Sequence, residues 1–332
     1  MSQDDLQNDF YQLDPDTILD ALDSINLYVE AALLPLNSYE NRVYQVRDEH
    51  QKKYVVKFYR PARWTDEQIL EEHQFCHEME QAEIPVVAPL QFDGKTLLNY
   101  QQFRFAVFPN RGGRHPNLDD HDTLTWLGRF IARIHTVGET SAYQHRLTIS
   151  PEAYAQQSYQ FLQDNHFIPA ELRVSMDSVC LPLVEQCLKS FHRFSDIAQL
   201  RIHGDCHPSN VMWTPDGPHF VDLDDSRMGP AVQDIWMLLT GDEQEKIQQQ
   251  NALLEGYEEF REFDDRELML VEALRGMRML HYMGWLAQRW DDPSFQHNFP
   301  WFNTPRYWEE QLLNLKEQLG TLQNQPTSQL WQ

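Results

Sequence analysis

The spacing of apolar residues divides the chain into two parts. In residues 1–108, short apolar runs alternate with polar turns, and the runs Arg42–Val46 and Tyr54–Tyr59 predict a β-hairpin. A long helical pattern follows from Asp66 to Gln81. Further strands are predicted at Leu33–Leu36, Val86–Phe92, Leu97–Tyr100 and Phe103–Phe108. This part is therefore expected to form a small antiparallel sheet with one helix against it.

Beyond residue 109 the pattern becomes helical. Leu124, Leu127, Ile131 and Ile134 recur at three- and four-residue steps. Similar periodicity is found in Leu181–Phe194, Val232–Leu239 and Leu268–Trp290. The glycine-containing run 109–113 predicts a hinge. The pattern thus predicts an α+β fold with two lobes: an N-terminal lobe with the small sheet, residues 1–108, and a larger helical lobe, residues 109–332.

The segment from His203 to Asp225 contains most of the candidate chemistry. Asp205 and Asn210 have the Asp-x-x-x-x-Asn spacing of a kinase catalytic loop, and a short hairpin then leads to Asp222. Phosphoryl transfer from ATP needs a group that receives the hydroxyl proton and oxygen ligands for magnesium. Asp205 and Asp222 are the candidate catalytic residues, and Asn210 and Asp222 are the candidate metal ligands.

Other readings of this segment are weaker. The run Asp222–Asp224 alone fits the metal pair of a glycosyltransferase or an acidic strand end. His203, Cys206 and His207 could be zinc ligands, but no second Cys/His pair follows at a finger or ribbon spacing. The order of loop, amide, hairpin and carboxylate favours phosphoryl transfer.

Lys57 is the candidate to bind the ATP phosphates. It is the one cation in the apolar run Tyr54–Phe58, and a buried cation needs a partner. Glu72, on the following helix, is the expected partner, although the spacing does not separate it fully from Glu71. On the outer face of its strand, Lys57 would instead be an ordinary solvated lysine.

Three residues near the catalytic segment have expected supporting roles. Asp234 is expected to accept backbone hydrogen bonds near Gly204, and His203 to be a packed, hydrogen-bonded histidine rather than a proton shuttle. Cys206 directly follows Asp205, so a reactive, oxidisable thiolate is one hypothesis and an inert buried thiol the other.

Composition restricts the partners. The chain has 27 basic and 51 acidic residues and a net charge of −24, which argues against nucleic acid and anionic membranes and favours a basic partner. No run approaches the roughly 18 apolar residues of a membrane span, and the first five residues are not the start of a signal peptide. The four cysteines have no disulfide spacing. A cytoplasmic monomer is expected.

Several motifs resemble the aminoglycoside phosphotransferase and choline kinase superfamily. They are Asn37–Tyr44, Lys57, Leu127–His135, His203–Asn210 and Asp222. The resemblance implies a two-lobed fold like that of protein kinases, ATP and Mg²⁺ as cofactors, and transfer to protein serine or threonine in a stress response. It implies that Asp205 is the base, that Asn210 and Asp222 bind magnesium, and that Ser38 lies at the ATP phosphates.

The phosphate loop departs from the usual pattern. No glycine lies between Pro35 and Val46, so backbone N–H groups have less freedom to approach phosphate. The side chains of Ser38 and Asn41 are candidates to replace them.

The acceptor is left open. Eight residues separate Asp225 from Asp234, too few for the activation segment with which protein kinases bind a peptide. A small alcohol could bind in a cleft between C-terminal helices, unless the residues concerned are core. These residues are Arg275, Arg278, Tyr282, Trp285 and Trp290. The hypotheses are a serine/threonine protein kinase, a small-alcohol kinase and a nucleotide-binding protein with little catalysis; the complete catalytic set argues against the last.

Overall fold

The structure, a computed structural model, describes residues 12–324. The prediction about the first five residues lies outside this range. The chain starts with helix α1, Pro15–Asp23, and the N–H of Thr17 donates to the side chain of Asp14 at 2.7 Å. Asp14 is therefore the N-cap of α1. No helix of the described residues is long and apolar enough to cross a membrane.

The first part of the chain forms a five-stranded antiparallel sheet in the order β1-β2-β3-β5-β4. The strands are β1, Leu34–Pro35; β2, Arg42–Arg47; β3, Lys53–Phe58; β4, Leu98–Tyr100; and β5, Phe103–Pro109. Helix α2, Asp66–Gln81, has a capping box at Thr65. β3 is the central strand, and Lys57 lies on it between Val43 of β2 and Ala106 of β5. The predicted hairpin and α2 are confirmed.

The predicted strand Val86–Phe92 is wrong. Pro85 directly precedes this run and Pro89 interrupts it, and both lack the N–H that a strand in a sheet must donate. The segment pairs instead with the catalytic hairpin: the N–H of Val87 donates to the carbonyl of Phe220 at 3.0 Å, and the N–H of Phe220 donates to that of Pro85 at 2.8 Å. This run therefore connects the sheet to the catalytic segment.

The second part of the chain is mainly helical, as predicted. Its helices are α3, His121–Glu139; α4, Gln157–Asp164; α5, Arg173–Arg193; α6, Val232–Trp236; α7, Glu243–Glu258; α8, Val271–Gln288; α9, Pro293–Asn298; and α10, Pro305–Gln323. Helices α3 and α7 pack closely at Gly128 and Gly256, which have no side chain in the way. A Cβ on either glycine would lie within about 2 Å of a carbonyl oxygen of the other helix. The α+β fold class is confirmed. The division of the chain at residue 108 stays a prediction.

Two short β-ribbons form the catalytic segment within these helices. β6, Leu200–Ile202, pairs with β9, Arg227–Gly229, and β7, Val211–Thr214, pairs with β8, Gly217–Phe220. A 3₁₀ turn, Pro208–Asn210, precedes β7, and a second one, Leu223–Asp225, follows β8. The ribbons thus bring the two ends of the segment together.

Candidate active site

Asp205 lies in the loop after β6 and has a cation or donor at each carboxylate oxygen. Oδ1 is 2.9 Å from Nη1 of Arg278 on α8, and Oδ2 is 3.3 Å from Nε2 of His207. Nδ1 of His207 accepts from the N–H of Ser209, so Nε2 carries the proton. Burial alone would raise the pKa of Asp205, but His207 and Arg278 outweigh it and hold the pKa below its ordinary value. Asp205 is therefore an ionised hydrogen-bond acceptor at neutral pH.

The backbone of this loop is held by Asp234 of α6. Its carboxylate accepts from the N–H of His203 at 2.7 Å and of Gly204 at 2.8 Å. His203 is buried, and its Nε2 donates to the carbonyl oxygen of Val221 at 3.0 Å. The expected roles of Asp234 and His203 are confirmed. His203 thereby ties the loop of the base to the strand end before Asp222.

Gly204 is required by two features of the loop. Its φ of +83° lies in the left-handed region, which favours glycine. A Cβ at this position would also lie 2.3 Å from the carbonyl oxygen of Asp225. The backbone before the base therefore packs directly on the 3₁₀ turn after Asp222.

Cys206 does not have the surroundings of a reactive thiol. Its side chain is fully buried, and burial, with Asp234 and Asp205 nearby, raises its pKa well above the ordinary value. A thiolate is therefore disfavoured, and the redox hypothesis is wrong. The zinc reading also fails, because no group of three or more His, Cys, Asp or Glu among residues 12–324 is placed to hold a metal.

Asn210 and Asp222 are brought together by the β7–β8 hairpin. The N–H of Val221 donates to the carbonyl oxygen of Asn210 at 3.0 Å, which places Asp222 beside it. The amide nitrogen of Asn210 donates to the backbone oxygen of Asp205 at 3.0 Å, so its Oδ1 remains available as a ligand. Asp222 has a φ of 58° and a side chain that is 51% exposed. One oxygen from Asn210 and one from Asp222, with phosphate oxygens and water filling the remaining coordination positions, would be a suitable ligand set for Mg²⁺.

Lys57 binds Asp222, and the expected pairing with Glu72 is wrong. Its Nζ lies 2.8 Å from Oδ1 of Asp222 and 3.8 Å from Oδ1 of Asp224. Burial would lower the pKa of Lys57, but these carboxylates raise it well above its ordinary value. Lys57 is therefore a buried cation and not a solvated lysine.

Glu72 is bound by an arginine that was not predicted. Nη2 of Arg146 lies 3.0 Å from its carboxylate, and both side chains are buried. Burial raises the pKa of Glu72 to about 7, although Lys57 and Arg146 lower it. Glu71 points elsewhere, as expected: its carboxylate accepts from the backbone N–H groups of residues 144–146. α2 thus holds this loop, and the loop supplies the arginine.

Arg63, between β3 and α2, connects the sheet to the 3₁₀ turn after Asp222. Its guanidinium binds Asp224 and lies 2.9 Å from Oδ1 of Asp225. Arg227 binds the same oxygen of Asp225 at 2.7 Å. Burial alone would raise the pKa of Asp225, but the charges of Arg63 and Arg227 outweigh it and hold this pKa well below its ordinary value. Sequence reasoning missed Arg63, because nothing in the local pattern indicates a partner so distant in the chain.

The loop between β1 and β2 is attached to both parts of the protein. Buried Glu40 accepts from Nε1 of Trp285 at 2.7 Å and binds Nε of Arg289 on the helical side. The amide oxygen of buried Asn41 accepts from the backbone N–H of Arg60, so this side chain fixes the loop. Its role as a phosphate donor through Nδ2 stays a prediction. Ser38 lies in this loop, partly buried, and its role stays a prediction.

The proposed acceptor residues divide between site and core. Arg278 reaches Asp205, and Tyr282 is exposed and stacks on Trp285 at 5.6 Å. Trp290 instead packs on buried Phe302 at 4.8 Å. Of the proposed cleft residues, Arg278 therefore lies at Asp205 and Trp290 belongs to the core, and the acceptor cleft itself stays a prediction.

Comparison with known proteins shows the family to which the chain is related. The model of the phosphotransferase enzyme family matches residues 32–271. Stress response kinase A of Escherichia coli (strain K12) is 47% identical over 96% of each chain. Serine/threonine protein kinase RdoA of Salmonella typhimurium (strain LT2) is 44% identical over 96% of each chain. The structure of amicoumacin kinase hAmiN in complex with AMP-PNP, Ca²⁺ and Ami has a TM-score of 0.69 over 89% of each chain, at 19% identity, and shows the shared fold.

Proposed function

Because the chain belongs to the phosphotransferase enzyme family, we propose that it transfers the γ-phosphoryl group of ATP, with Mg²⁺, to the hydroxyl of a protein serine or threonine in a stress response. The observation that carries the proposal is that the loop of Asp205 is hydrogen-bonded through Asn210 to the strand end before Asp222, which binds Lys57. The names of the relatives, a stress response kinase and a serine/threonine protein kinase, support this acceptor.

Each residue has a defined task in this reaction. Asp205 accepts the proton of the acceptor hydroxyl as that oxygen bonds to the γ-phosphorus and the bond to the β-γ bridging oxygen breaks. Asn210 and Asp222 hold magnesium, which, when bound, neutralises the phosphate charge. Lys57 and Ser38 bind the phosphates from the sheet side. Glu72 acts on Lys57 only through its charge, since its carboxylate is bound by Arg146.

A small-alcohol kinase is the second candidate. Strand β9 occupies Arg227–Gly229 within the eight residues between Asp225 and Asp234, which leaves no segment for peptide docking. Amicoumacin kinase hAmiN, which shares the fold, was solved with a small molecule, Ami. A protein substrate would therefore dock elsewhere on the acidic surface. The cytoplasmic location and monomeric state remain predictions.

The test offers both acceptor classes at once. Purified protein is incubated with labelled ATP and magnesium beside a proteome extract and, separately, a metabolite pool, with Asp205→Asn protein as the control. The proposal is supported if the wild type transfers label to protein serine or threonine and the Asp205→Asn control does not. Rapid ATP use on one small alcohol, without protein-bound phosphate, replaces it with the second candidate. No transfer to either pool contradicts kinase activity.

A further inference from the structure

The guanidinium of Arg278 contacts Asp205 and is only partly used by that contact. Nη1 of Arg278 lies 2.9 Å from Oδ1 of Asp205, yet the arginine side chain is 43% exposed. Its Nε and Nη2 atoms have no hydrogen-bond partner among residues 12–324. Arg275 lies one turn earlier on α8, 28% exposed, with its guanidinium over the ring of Trp236 at 5.7 Å. Two partly exposed cations therefore lie one turn apart on α8, and one of them contacts the proposed proton acceptor.

The carboxylates of Asp205, Glu272 and Asp225 are already paired with arginines. Asp205 binds Arg278, and Glu272 lies 3.3 Å from Arg275. Asp225 is held between Arg63 and Arg227. None of these three carboxylates is left without a cation to bind the ammonium group of a substrate. The available hydrogen-bond donors belong to Arg278, and donors of this kind bind carboxylate or phosphate.

His281, one turn after Arg278 on α8, gives an independent indication. Its Nδ1 is buried and has no hydrogen-bond partner among the described residues, while its ring stacks on Tyr154 at 4.3 Å. Burial first, and then Arg227 and Arg278, lower the pKa of His281 to about 3, while Asp225 opposes this shift. The ring is therefore neutral at neutral pH. A buried polar atom without a partner is costly, and a bound polar group would satisfy it.

We propose that Arg278, with Arg275 beside it, recognises an anionic group next to the acceptor hydroxyl: on a protein substrate, the carboxylate of a residue neighbouring the phosphorylated serine or threonine. This inference rests on the proposed function. A carboxylate held by Nε and Nη2 of Arg278 would direct the adjacent hydroxyl toward Asp205, which the same guanidinium contacts through Nη1. The net charge of −24 acts over longer range and selects a basic partner, whereas Arg278 selects the hydroxyl on that partner.

The experiment uses three serine peptides that differ in one residue beside the serine: glutamate, glutamine or lysine. The wild-type protein is expected to show a kcat/KM roughly tenfold or more higher for the glutamate peptide than for the glutamine peptide, as a lost charge-assisted hydrogen bond implies. Arg278→Gln is expected to remove this preference, and Arg278→Glu to shift it to the lysine peptide. Arg129→Gln, which alters an exposed arginine paired with Glu259, is the control and should keep the wild-type preference. Calorimetric Mg-ATP binding verifies that each variant is folded.

The outcomes separate this inference from the proposed function. Equal phosphorylation of all peptides by the wild type, or an unchanged preference in Arg278→Gln, overturns the role of Arg278 and leaves the kinase assignment intact. If no peptide is phosphorylated and the labelled proteome extract also contains no phosphoprotein, the protein acceptor fails, and the same proteins are assayed on glycerate and glycerol. A preference for glycerate that Arg278→Gln loses supports anion recognition on a small acceptor. Equal use of the two alcohols, or use of neither, overturns it.

Discussion

The ammonium of Lys57 binds Asp222, with Nζ 2.8 Å from Oδ1, while Glu72 is bound by Arg146. Lys57 comes from the central strand of the sheet, and Asp222 follows the catalytic hairpin, so this contact joins the two parts of the site. Because one oxygen of Asp222 is used by Lys57, the other remains for the metal. Lys57 and Asp222, the proposed phosphate-binding cation and metal ligand, are thus positioned by each other.

Replacing Asp205 tests the proton acceptor. Asp205→Asn keeps the size of the side chain and removes its basicity, so we expect phosphoryl transfer to fall roughly a hundredfold or more. Mg-ATP binding, measured by calorimetry, should persist. Asp196→Asn, an exposed carboxylate paired with Arg266, is the matched control and should be as active as the wild type. Near-normal turnover of Asp205→Asn would rule out this base.

Replacing Asp222 tests the metal site. Asp222→Ala removes both a magnesium ligand and the partner of Lys57, so we expect no measurable transfer and weaker Mg-ATP binding. ATP is titrated by calorimetry with and without magnesium. An identical metal dependence in wild type and variant would contradict the assignment of Asp222 as a ligand.

Replacing Gly204 tests the packing of the loop before the base. Gly204 and Gly94 both have positive φ, at 83° and 76°, but a Cβ on Gly204 would lie 2.3 Å from the oxygen of Asp225, whereas Gly94 has no heavy atom within 4 Å. Alanine at either position pays the conformational cost, so the pair isolates the clash. We expect Gly204→Ala to lower the unfolding midpoint well below that of Gly94→Ala and to abolish activity. Equal midpoints would contradict the clash.

The fold was predictable where the determining contacts are local. Helical periodicity and the Asp48–Gln51 turn placed α2, α3 and the β2–β3 hairpin, because those patterns depend on neighbouring residues. Val86–Phe92 was misassigned, since its apolar composition resembles a strand while its actual partner, Phe220, lies far along the chain. Pro85, directly before this run, and Pro89 within it were the signal that could have prevented the error.

The site was predictable to the same extent. Asp205, Asn210 and Asp222 belong to one loop and hairpin, so their spacing implied their proximity. The contacts of Arg63 and Arg278 depend on how distant elements pack, and no local pattern encodes them. The pairing of Lys57 with Asp222, and not with Glu72, also depends on how distant elements pack, so the local sequence does not predict it.

The net charge of −24 leads to a prediction about salt. Exposed charges more than about 8–10 Å apart are screened near physiological ionic strength, so attraction to a basic protein substrate should weaken as salt rises. Between about 0.01 and 0.15 M salt, we expect KM for a basic protein to rise several-fold while kcat changes little, since the chemistry occurs in a partly buried site. Initial rates over a substrate series at each salt concentration test this. A salt-independent KM would contradict electrostatic selection of the partner.

Glu267 provides a prediction about pH and stability. It is buried and accepts from the N–H of Val232 at 2.7 Å, and burial raises its pKa to about 7 from an ordinary value of 4.5. Because the folded state binds this proton more tightly than the unfolded state, the contribution of Glu267 is fully present below pH 4.5 and is lost as pH rises through 7. The free energy of unfolding of wild type should therefore fall relative to that of Glu267→Gln, which has no such proton, by about 3 kcal/mol at most across this window. Urea unfolding of both proteins over this pH range measures the difference. Since Glu72 has a raised pKa in both proteins, its effect cancels, and parallel pH profiles would show that Glu267 has an ordinary pKa in the folded state.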